Sequence, residues 1–247
     1  MKRYFPVILC FLVLIFASCE DKEKSRNPNQ ESNSAFPKET VDSRVIDTTK
    51  ESNNVEQDSW LNRDGPLIIQ EELIPFLTEY GEKNPEDRVR IVTRFGDIEV
   101  QLYKDTPLHR ANFIYLVKLG YFDNTFFHRV SENFVIQGGN SDNTDTPRKR
   151  TKIGSYLIPS EFEAGHKHTR GAFSAAKYAE QNVSKASSPY EFFIVQSTRG
   201  AHHLDNDHTV FGRVTKGMDV VDEIAKQDVG EGDWPNLNIY INMEIID

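Results

Sequence analysis

The sequence predicts a mainly β fold, a closed antiparallel barrel capped by two α-helices and preceded by a disordered segment. One observation is a series of short segments in which polar and apolar residues alternate, as in strands with one buried face. A second is a pair of helical patterns at separate points of the chain. The third is a polar stretch over residues 20–58 that has too few apolar residues to form a core.

The first strands form a predicted β-hairpin. Residues 88–95 and 97–103 both alternate, and Gly96-Asp97 between them is a typical turn pair. Thr106-Pro107 then begins a helix, with Thr at the N-cap and Pro at the first helical position, and Gly120 ends it. The second helix is predicted over residues 218–227. Further strands are predicted at residues 125–130, 133–138, 171–176, 190–196, 209–214 and 238–246.

Composition narrows the class of protein. The chain has 247 residues, 38% hydrophobic and 27% charged, which is ordinary for a globular protein. Its formal net charge of −9 repels phosphates and argues against a nucleic-acid partner. Both cysteines, Cys10 and Cys19, lie near the N-terminus. No disulfide framework can therefore hold the downstream part, which must depend on its own core.

The N-terminus has the pattern of an export signal. Lys2 and Arg3 precede an apolar run over residues 4–16, and residues 16–19 read Phe-Ala-Ser-Cys. These four residues resemble the lipobox of bacterial lipoproteins, with Phe in place of the usual Leu. We expect a signal peptide over residues 1–18 and a lipid anchor on Cys19. The alternatives are an ordinary signal peptide cut elsewhere and an uncleaved anchor, for which the run is short.

Two segments separate this signal from the barrel. Residues 19–58 comprise the lipidated cysteine and a disordered linker, which would let an anchored domain sweep a volume above its membrane. Residues 59–86 are predicted to form a short helical extension, with an amphipathic helix over 70–80, a kink or late start at Pro75 and a stop at Gly81. We expect this extension to pack beside the main domain, over residues 87–247.

Three segments resemble the cyclophilin family. Residues 126–130 read FFHRV and residues 134–139 read FVIQGG, close to the family's FHR and F-x-x-QGG motifs. Residues 171–177 (GAFSAAK) resemble its G-x-L-S-M-A-N segment, and residues 188–213 contain the pattern S-P-Y-E-F-F-I, L-D and H-T-V-F-G-R. The resemblance covers about residues 88–247. It implies an eight-stranded barrel with two capping helices and peptidyl-prolyl cis-trans isomerase activity without a cofactor.

Isomerisation of an X–Pro bond requires rotation about an amide with a barrier of roughly 18–20 kcal/mol, and no bond is broken. The resemblance makes Arg129 the catalytic residue. In the twisted transition state the prolyl nitrogen gains a lone pair that a guanidinium can hydrogen-bond. By resemblance the apolar proline pocket consists of Phe134, Val135, Phe193 and Leu204. The alternative is that Arg129 forms a surface ion pair and that the four apolar residues are ordinary core.

The resemblance assigns further substrate-binding residues: His128, Gln137, Ala176, Lys177, Glu191, His203 and His208. Glu191 replaces a family glutamine, and its carboxylate could pair with Arg129, either holding it or drawing its donors away. Residues 140–153 lack the family's glycine-rich loop and contain Arg148-Lys149-Arg150, which we expect to be a solvated loop. The histidines at 166, 168, 202, 203 and 208 lack a recognised metal spacing, so no metal is expected.

The leading hypothesis is a monomeric, lipid-anchored isomerase of the bacterial cell envelope, facing the periplasm or the cell surface. Its partners would be proline-containing segments of exported or envelope proteins and, through the anchor, a membrane. The alternative hypothesis is a tethered module that binds proline peptides as a chaperone with weak or no catalysis. A third hypothesis is a purely structural envelope lipoprotein.

Overall fold

A computed structural model describes residues 65–178 and 183–247. The predicted signal peptide, the lipidation site Cys19 and the linker lie outside these residues. The strands close into an eight-stranded antiparallel barrel in the order β1-β2-β7-β5-β6-β4-β3-β8, which confirms the predicted fold class. The strands are β1 (Arg88–Thr93), β2 (Gly96–Leu102), β3 (Thr125–Ser131), β4 (Val135–Asn140), β5 (Ala172–Ala175), β6 (Phe192–Val195), β7 (Val210–Lys216) and β8 (Tyr240–Ile245).

The first two strands form the predicted hairpin, but its turn lies two residues earlier than expected. Thr93 pairs with Gly96, so the turn residues are Arg94 and Phe95. The Thr93 hydroxyl donates to the Gly96 carbonyl at 2.9 Å and accepts from the Phe95 N–H at 3.1 Å. Gly96 has a φ of +124°, which an L side chain rarely adopts, so this glycine fits the strand side of the turn.

Four α-helices accompany the barrel in the described residues: α1 (Leu73–Lys83), α2 (Pro107–Lys118), α3 (Asp145–Ile153) and α4 (Met218–Ala225). The sequence predicted α2 and α4 as the two capping helices. Thr106 is at the N-cap of α2, but its side chain makes no capping hydrogen bond. Glu161 takes this role, because its carboxylate oxygens accept the backbone N–H groups of Leu108 and His109, each at 3.0 Å.

The helical extension packs on the barrel domain. Helix α1 begins at Leu73, and a 3-10 turn over Gln70–Glu72 precedes it, so Pro75 lies within its first turn, where proline is tolerated. Leu73 and Leu77 are fully buried in the same hydrophobic cluster as the barrel interior. The residue expected to stop the helix, Gly81, lies inside it.

The barrel has two hydrophobic clusters, one on each face of the sheet around β4 and β6. Ile136, Phe192 and Ile194 belong to the main cluster inside the barrel. Val135 and Phe193, adjacent to them in sequence, belong to a second cluster on the opposite face, against which Phe134 and Leu204 pack. This division follows from the alternation of side chains along a strand. No helix in the described part of the chain is long and apolar enough to cross a membrane.

Candidate active site

Three neighbouring strands set the position of the predicted catalytic residues. Arg129 on β3 pairs with Gln137 on β4, which in turn pairs with Phe193 on β6. Residues directly opposite each other in an antiparallel sheet project to the same face. The register therefore brings together an arginine, an amide and an aromatic ring that are separated by up to 64 residues in sequence.

A cavity of about 230 Å³ opens above this row of side chains. Its lining brings together nine of the residues that the sequence nominated: Arg129, Phe134, Val135, Gln137, Ala176, Lys177, Phe193, Leu204 and His208. Three nominated residues, His128, Glu191 and His203, are not among those that line it. The cavity has an apolar floor and wall on one side and an arginine on the other.

Arg129 lies over the edge of this cavity. Its guanidinium carbon is 5.6 Å from the ring centroid of Phe134, within range of a cation–π contact. On the other side, its Nη2 atom is 3.2 Å from the Oδ2 atom of Asp233, in the turn before β8. Both partners of this ion pair are more than one-third exposed. The sequence analysis did not identify Asp233, because 104 residues separate it from Arg129 and no motif contains it.

Glu191 does not pair with Arg129, contrary to one expectation from the sequence. Its Oε2 atom accepts a hydrogen bond from Nε2 of Gln137 at 3.0 Å, and its Oε1 atom accepts one from Nη2 of Arg150 at 3.2 Å. The His128 Nε2 atom lies 3.5 Å from Oε2. The carboxylate of Glu191 therefore forms its ion pair with Arg150 on α3, whereas the guanidinium of Arg129 forms one with Asp233.

The expectation of a solvated basic loop at 148–150 is wrong, because these residues lie in α3 and two of them face the barrel. The ammonium group of Lys149, which is 5% exposed, donates to the carbonyls of Gly120, Tyr121 and Asp123. These carbonyls follow the end of α2, where a cation also complements the helix dipole. Only Arg148 projects into solvent, at 70% exposure.

A buried polar network supports the opposite wall of the cavity. The Nδ1 atom of His168 is 2.9 Å from Oδ1 of Asp205, and its Nε2 atom is 3.0 Å from the hydroxyl of Ser174. The imidazole stacks on Phe193 with centroids 5.8 Å apart, and Asp205 directly follows Leu204. The network thus fixes two pocket residues at once. Sequence reasoning weighed His168 only as a metal ligand.

Electrostatics favours the ionised form of Asp205 and the neutral forms of His168 and His208. Burial opposes ionisation of Asp205, but hydrogen bonds from the backbone and ring of His168 and from His202 outweigh it and lower its pKa to about 2. Burial lowers the pKa of His168, against the attraction of Asp205. Burial, reinforced by the charge of Lys177, lowers the pKa of His208 to about 4, so His208 is neutral at pH 7.

Lys177 and Ala176 line the cavity in different ways. The ammonium group of Lys177 is 2.7 Å from Oδ2 of Asp207, so its charge is compensated at the rim. The N–H of Ala176 donates to the Glu191 carbonyl and its own carbonyl accepts from Ser188, so its backbone groups already take part in the fold. Ala176 therefore contributes a small apolar wall.

His203 stacks against the outer side of the pocket. Its ring and that of Phe134 are 5.4 Å apart and nearly parallel, so it braces the phenylalanine from outside the cavity. Across residues 65–178 and 183–247, no three His, Cys, Asp or Glu side chains come together as a set that could hold a metal ion. The histidines considered earlier contact carboxylates instead: His166 contacts Asp105, whereas His168 and His202 share Asp205.

The family model described as cyclophilin type peptidyl-prolyl cis-trans isomerase matches residues 88–244, which is most of the chain and all of the barrel strands except the last residue of β8. The chain belongs to the cyclophilin family. The residues before 88, including α1, lie outside this match.

Several cyclophilins illustrate the similarity. A peptidyl-prolyl cis-trans isomerase of Acinetobacter baylyi is 38% identical over 141 residues, 56% of this chain and 71% of that protein. A peptidyl-prolyl cis-trans isomerase-like 2 of Rhizopus delemar is 37% identical over 164 residues, which is 66% of this chain but only 29% of that protein. A Cryptosporidium parvum cyclophilin, crystallised in the presence of the dipeptide Ala-Pro, has a TM-score of 0.55 at 25% identity and covers 65% of this chain and 99% of that one.

This cyclophilin has a second, larger cavity of about 640 Å³ on the side of α3. Its lining includes Arg150 and Tyr190 from the family-matched part, and Leu67 and Gln70 from the extension. Gln70 binds the backbone of Leu157 through both amide atoms, at 2.8 and 3.1 Å. The extension therefore forms one wall of a recess that the barrel alone would leave more open.

Proposed function

We propose that this cyclophilin catalyses cis-trans isomerisation of X–Pro bonds, with Arg129 as the catalytic residue. The observation that carries the proposal is the arginine at the edge of an apolar cavity, its guanidinium above the ring of Phe134. Phe193 and Leu204 form a rigid apolar site for a pyrrolidine ring. The amide nitrogen of such a proline would then lie near a fixed, permanently charged donor.

Catalysis follows from differential binding. The planar amide nitrogen of the ground state is a poor acceptor, whereas the twisted nitrogen carries a lone pair, so a hydrogen bond from Arg129 stabilises the transition state selectively. One charged hydrogen bond contributes roughly 1.5–3 kcal/mol. Since each 1.36 kcal/mol is about a tenfold change in rate, this bond accelerates isomerisation by about one to two orders of magnitude. Burial of the proline in a cavity that excludes water supplies the remainder.

The substrates that fit are proline-containing segments of polypeptides. The cavity of about 230 Å³ is large enough for a pyrrolidine ring. Gln137, Lys177 and His208 place polar groups at the rim of the cavity, where the flanking backbone of an extended peptide would pass. We propose that these residues, with the neighbouring His128, Glu191 and His203, bind or support the peptide around the proline.

A binding module without catalysis is the competing function. The feature that favoured it, a pair between Glu191 and Arg129, is replaced by contacts of Glu191 with Gln137 and Arg150. A protease-coupled assay on a proline tetrapeptide, paired with a peptide titration, separates the two functions. The proposal expects acceleration at enzyme concentrations well below those of the peptide. Saturable binding with no acceleration would identify a binding module.

We further propose export and anchoring through a lipid on Cys19, with action on proteins of the bacterial envelope. The support is the resemblance of residues 16–19 to a lipobox after a basic and apolar leader. Expression of the full chain in a bacterium, followed by detergent phase partition, tests it. The wild type should enter the detergent phase with its first 18 residues removed, and Cys19→Ser should enter the aqueous phase. A Cys19→Ser protein that partitions as the wild type does would overturn this assignment.

A further inference from the structure

The side-chain amide of Gln137 is held from outside the proline cavity. Gln137 lines the cavity, whereas Glu191, which accepts the hydrogen bond from its Nε2 atom at 3.0 Å, does not. An ionised carboxylate is only an acceptor, so the NH₂ group must face it. The two polar atoms of an amide lie on opposite edges. The carbonyl oxygen Oε1 of Gln137 therefore lies on the edge turned away from Glu191, where it can serve the cavity as an acceptor, and one N–H of Nε2 is not used by this bond.

Glu191 is itself fixed by a second residue, Arg150. The Nη2 atom of Arg150 donates to its Oε1 atom at 3.2 Å, while Nε of the same guanidinium donates to the hydroxyl of Tyr121 at 2.9 Å. That hydroxyl donates in turn to the carbonyl of Gly139, two residues after Gln137 on β4. Nη2 of Arg150 also donates to Oδ1 of Asn140 at 3.2 Å, so helix α3 is connected to β4 at Gln137, Gly139 and Asn140.

The charge of Arg150 is one of several interactions that favour the ionised form of this buried carboxylate. Burial alone would raise the pKa of Glu191, but the hydrogen bond and charge of His128, the charge of Arg150 and the bond from Gln137 outweigh it, and the net pKa lies below its usual value. The phenols of Tyr121, Tyr178 and Tyr190 are the titratable groups on the Arg150 side of this pair. Without Arg150, the buried carboxylate would take up a proton more readily. A protonated Glu191 carboxyl can donate a hydrogen bond to Oε1 of Gln137. The side-chain amide of Gln137 could then flip, so that its oxygen rather than its NH₂ group faces Glu191.

We propose that Glu191 and Arg150 are positioning residues that fix the amide orientation of Gln137, so that it offers an acceptor to the proline cavity. An acceptor there serves donors: a backbone N–H of the bound peptide and the guanidinium of Arg129. With the amide reversed, Gln137 would offer N–H groups that repel both. This inference rests on the proposed isomerase function, and it assigns the ion pair a role in the rate of the reaction beyond the stability of the fold.

The test is the pH dependence of isomerisation, measured by NMR exchange on a proline peptide because this method needs no coupling protease. Between about pH 8 and pH 5.5, the wild type should change less than about twofold, since Glu191 stays ionised. Arg150→Met should match the wild type at the upper pH and lose at least about fivefold at the lower one, because the carboxylate then takes up a proton more readily. Arg150→Lys should recover most of this loss by restoring the charge.

Two variants make the interpretation unambiguous. Arg148→Met removes a neighbouring basic residue that is exposed and contacts only Asp145 among the described ion pairs, so its profile should follow the wild type. Glu191→Gln removes the ionisable group, so its rate should be lower than that of the wild type and independent of pH.

The inference is wrong if Arg150→Met and the wild type have parallel profiles, or if Glu191→Gln still loses activity as the pH falls. Folding of each variant is checked by its amide spectrum at both pH values, and Arg150→Lys provides the second measurement if Arg150→Met is unfolded. An inactive wild type would instead refute the proposed function.

Discussion

The guanidinium of Arg129 is 3.2 Å from the carboxylate of Asp233, whereas the carboxylate of Glu191 binds Arg150 instead. Glu191 and Asp233 thus have different arginine partners. Glu191 is buried and bound by Arg150, whereas Asp233 lies on an exposed turn beside the cavity. The guanidinium of Arg129 thus contacts an exposed carboxylate on one side and the ring of Phe134 on the other.

Asp233→Asn should raise kcat/KM modestly, by about two- to fivefold. The Asp233 carboxylate competes with substrate for Nη2 of Arg129 and weakens its donor character, but an exposed ion pair contributes only about 0–1 kcal/mol. The increase should shrink at high salt, which screens the pair in the wild type. Glu231→Gln, in the same turn, is the matched control and should have little effect. A loss of more than about fivefold in Asp233→Asn would show that the carboxylate holds Arg129 in its productive position.

His208 should make the folded state less stable in mild acid. Its pKa is about 4 in the folded protein against a usual 6.5. Between these two values the unfolded chain binds more protons than the folded protein, so the free energy of unfolding decreases as the pH is lowered. At about pH 5 this residue costs about 1–2 kcal/mol relative to neutral pH. Urea unfolding at both pH values should show a smaller acid loss for His208→Gln than for the wild type. His203→Gln, at an exposed histidine, should retain the full loss, and equal losses in all three proteins would contradict the assignment.

Gly139 should tolerate no side chain, for a reason beyond its backbone angle. Both Gly139 and Gly165 have positive φ, +95° and +82°. A Cβ atom on Gly139 would overlap the carbonyl oxygen of Tyr190, whereas one on Gly165 would meet nothing within 4 Å. Gly165→Ala should therefore cost about 1–2 kcal/mol of stability and Gly139→Ala about 1–3 kcal/mol more. Equal midpoints in thermal unfolding would show that the sheet relaxes around the added methyl group.

The extension should contribute to the stability of the barrel domain. Leu77 is fully buried on α1, while Ile74 on the same helix is 52% exposed. Leu77→Ala should lower the free energy of unfolding by about 2–5 kcal/mol, because it leaves a cavity in a shared core. Ile74→Ala should lower it by less than about 0.5 kcal/mol. If both variants unfold at the wild-type urea concentration, α1 is not part of the cooperative unit.

The sequence predicted the barrel because alternation of polar and apolar residues is a local pattern. It predicted the pocket residues because they lie within short motifs that resemble those of the family. The family resemblance nominated Phe193 for the pocket, and alternation along β6 explains why its neighbour Phe192 faces the barrel interior instead. The sequence could not predict α3, because its basic residues lack an apolar stripe and their partners are backbone carbonyls distant in sequence. Asp233 and the His168–Asp205 pair were missed for the same reason: long-range polar contacts carry no periodic signal.

The most direct test of the account is kcat/KM for Arg129→Ala on a proline tetrapeptide, with the unfolding midpoint of the same protein as the control for folding. Arg129 is partly exposed and packs mainly on Phe134, so its loss should leave the midpoint nearly unchanged. The rate constant should fall by at least about ten- to a hundredfold, as expected for one charged hydrogen bond in the transition state. A folded Arg129→Ala protein with the wild-type rate constant would contradict the mechanism.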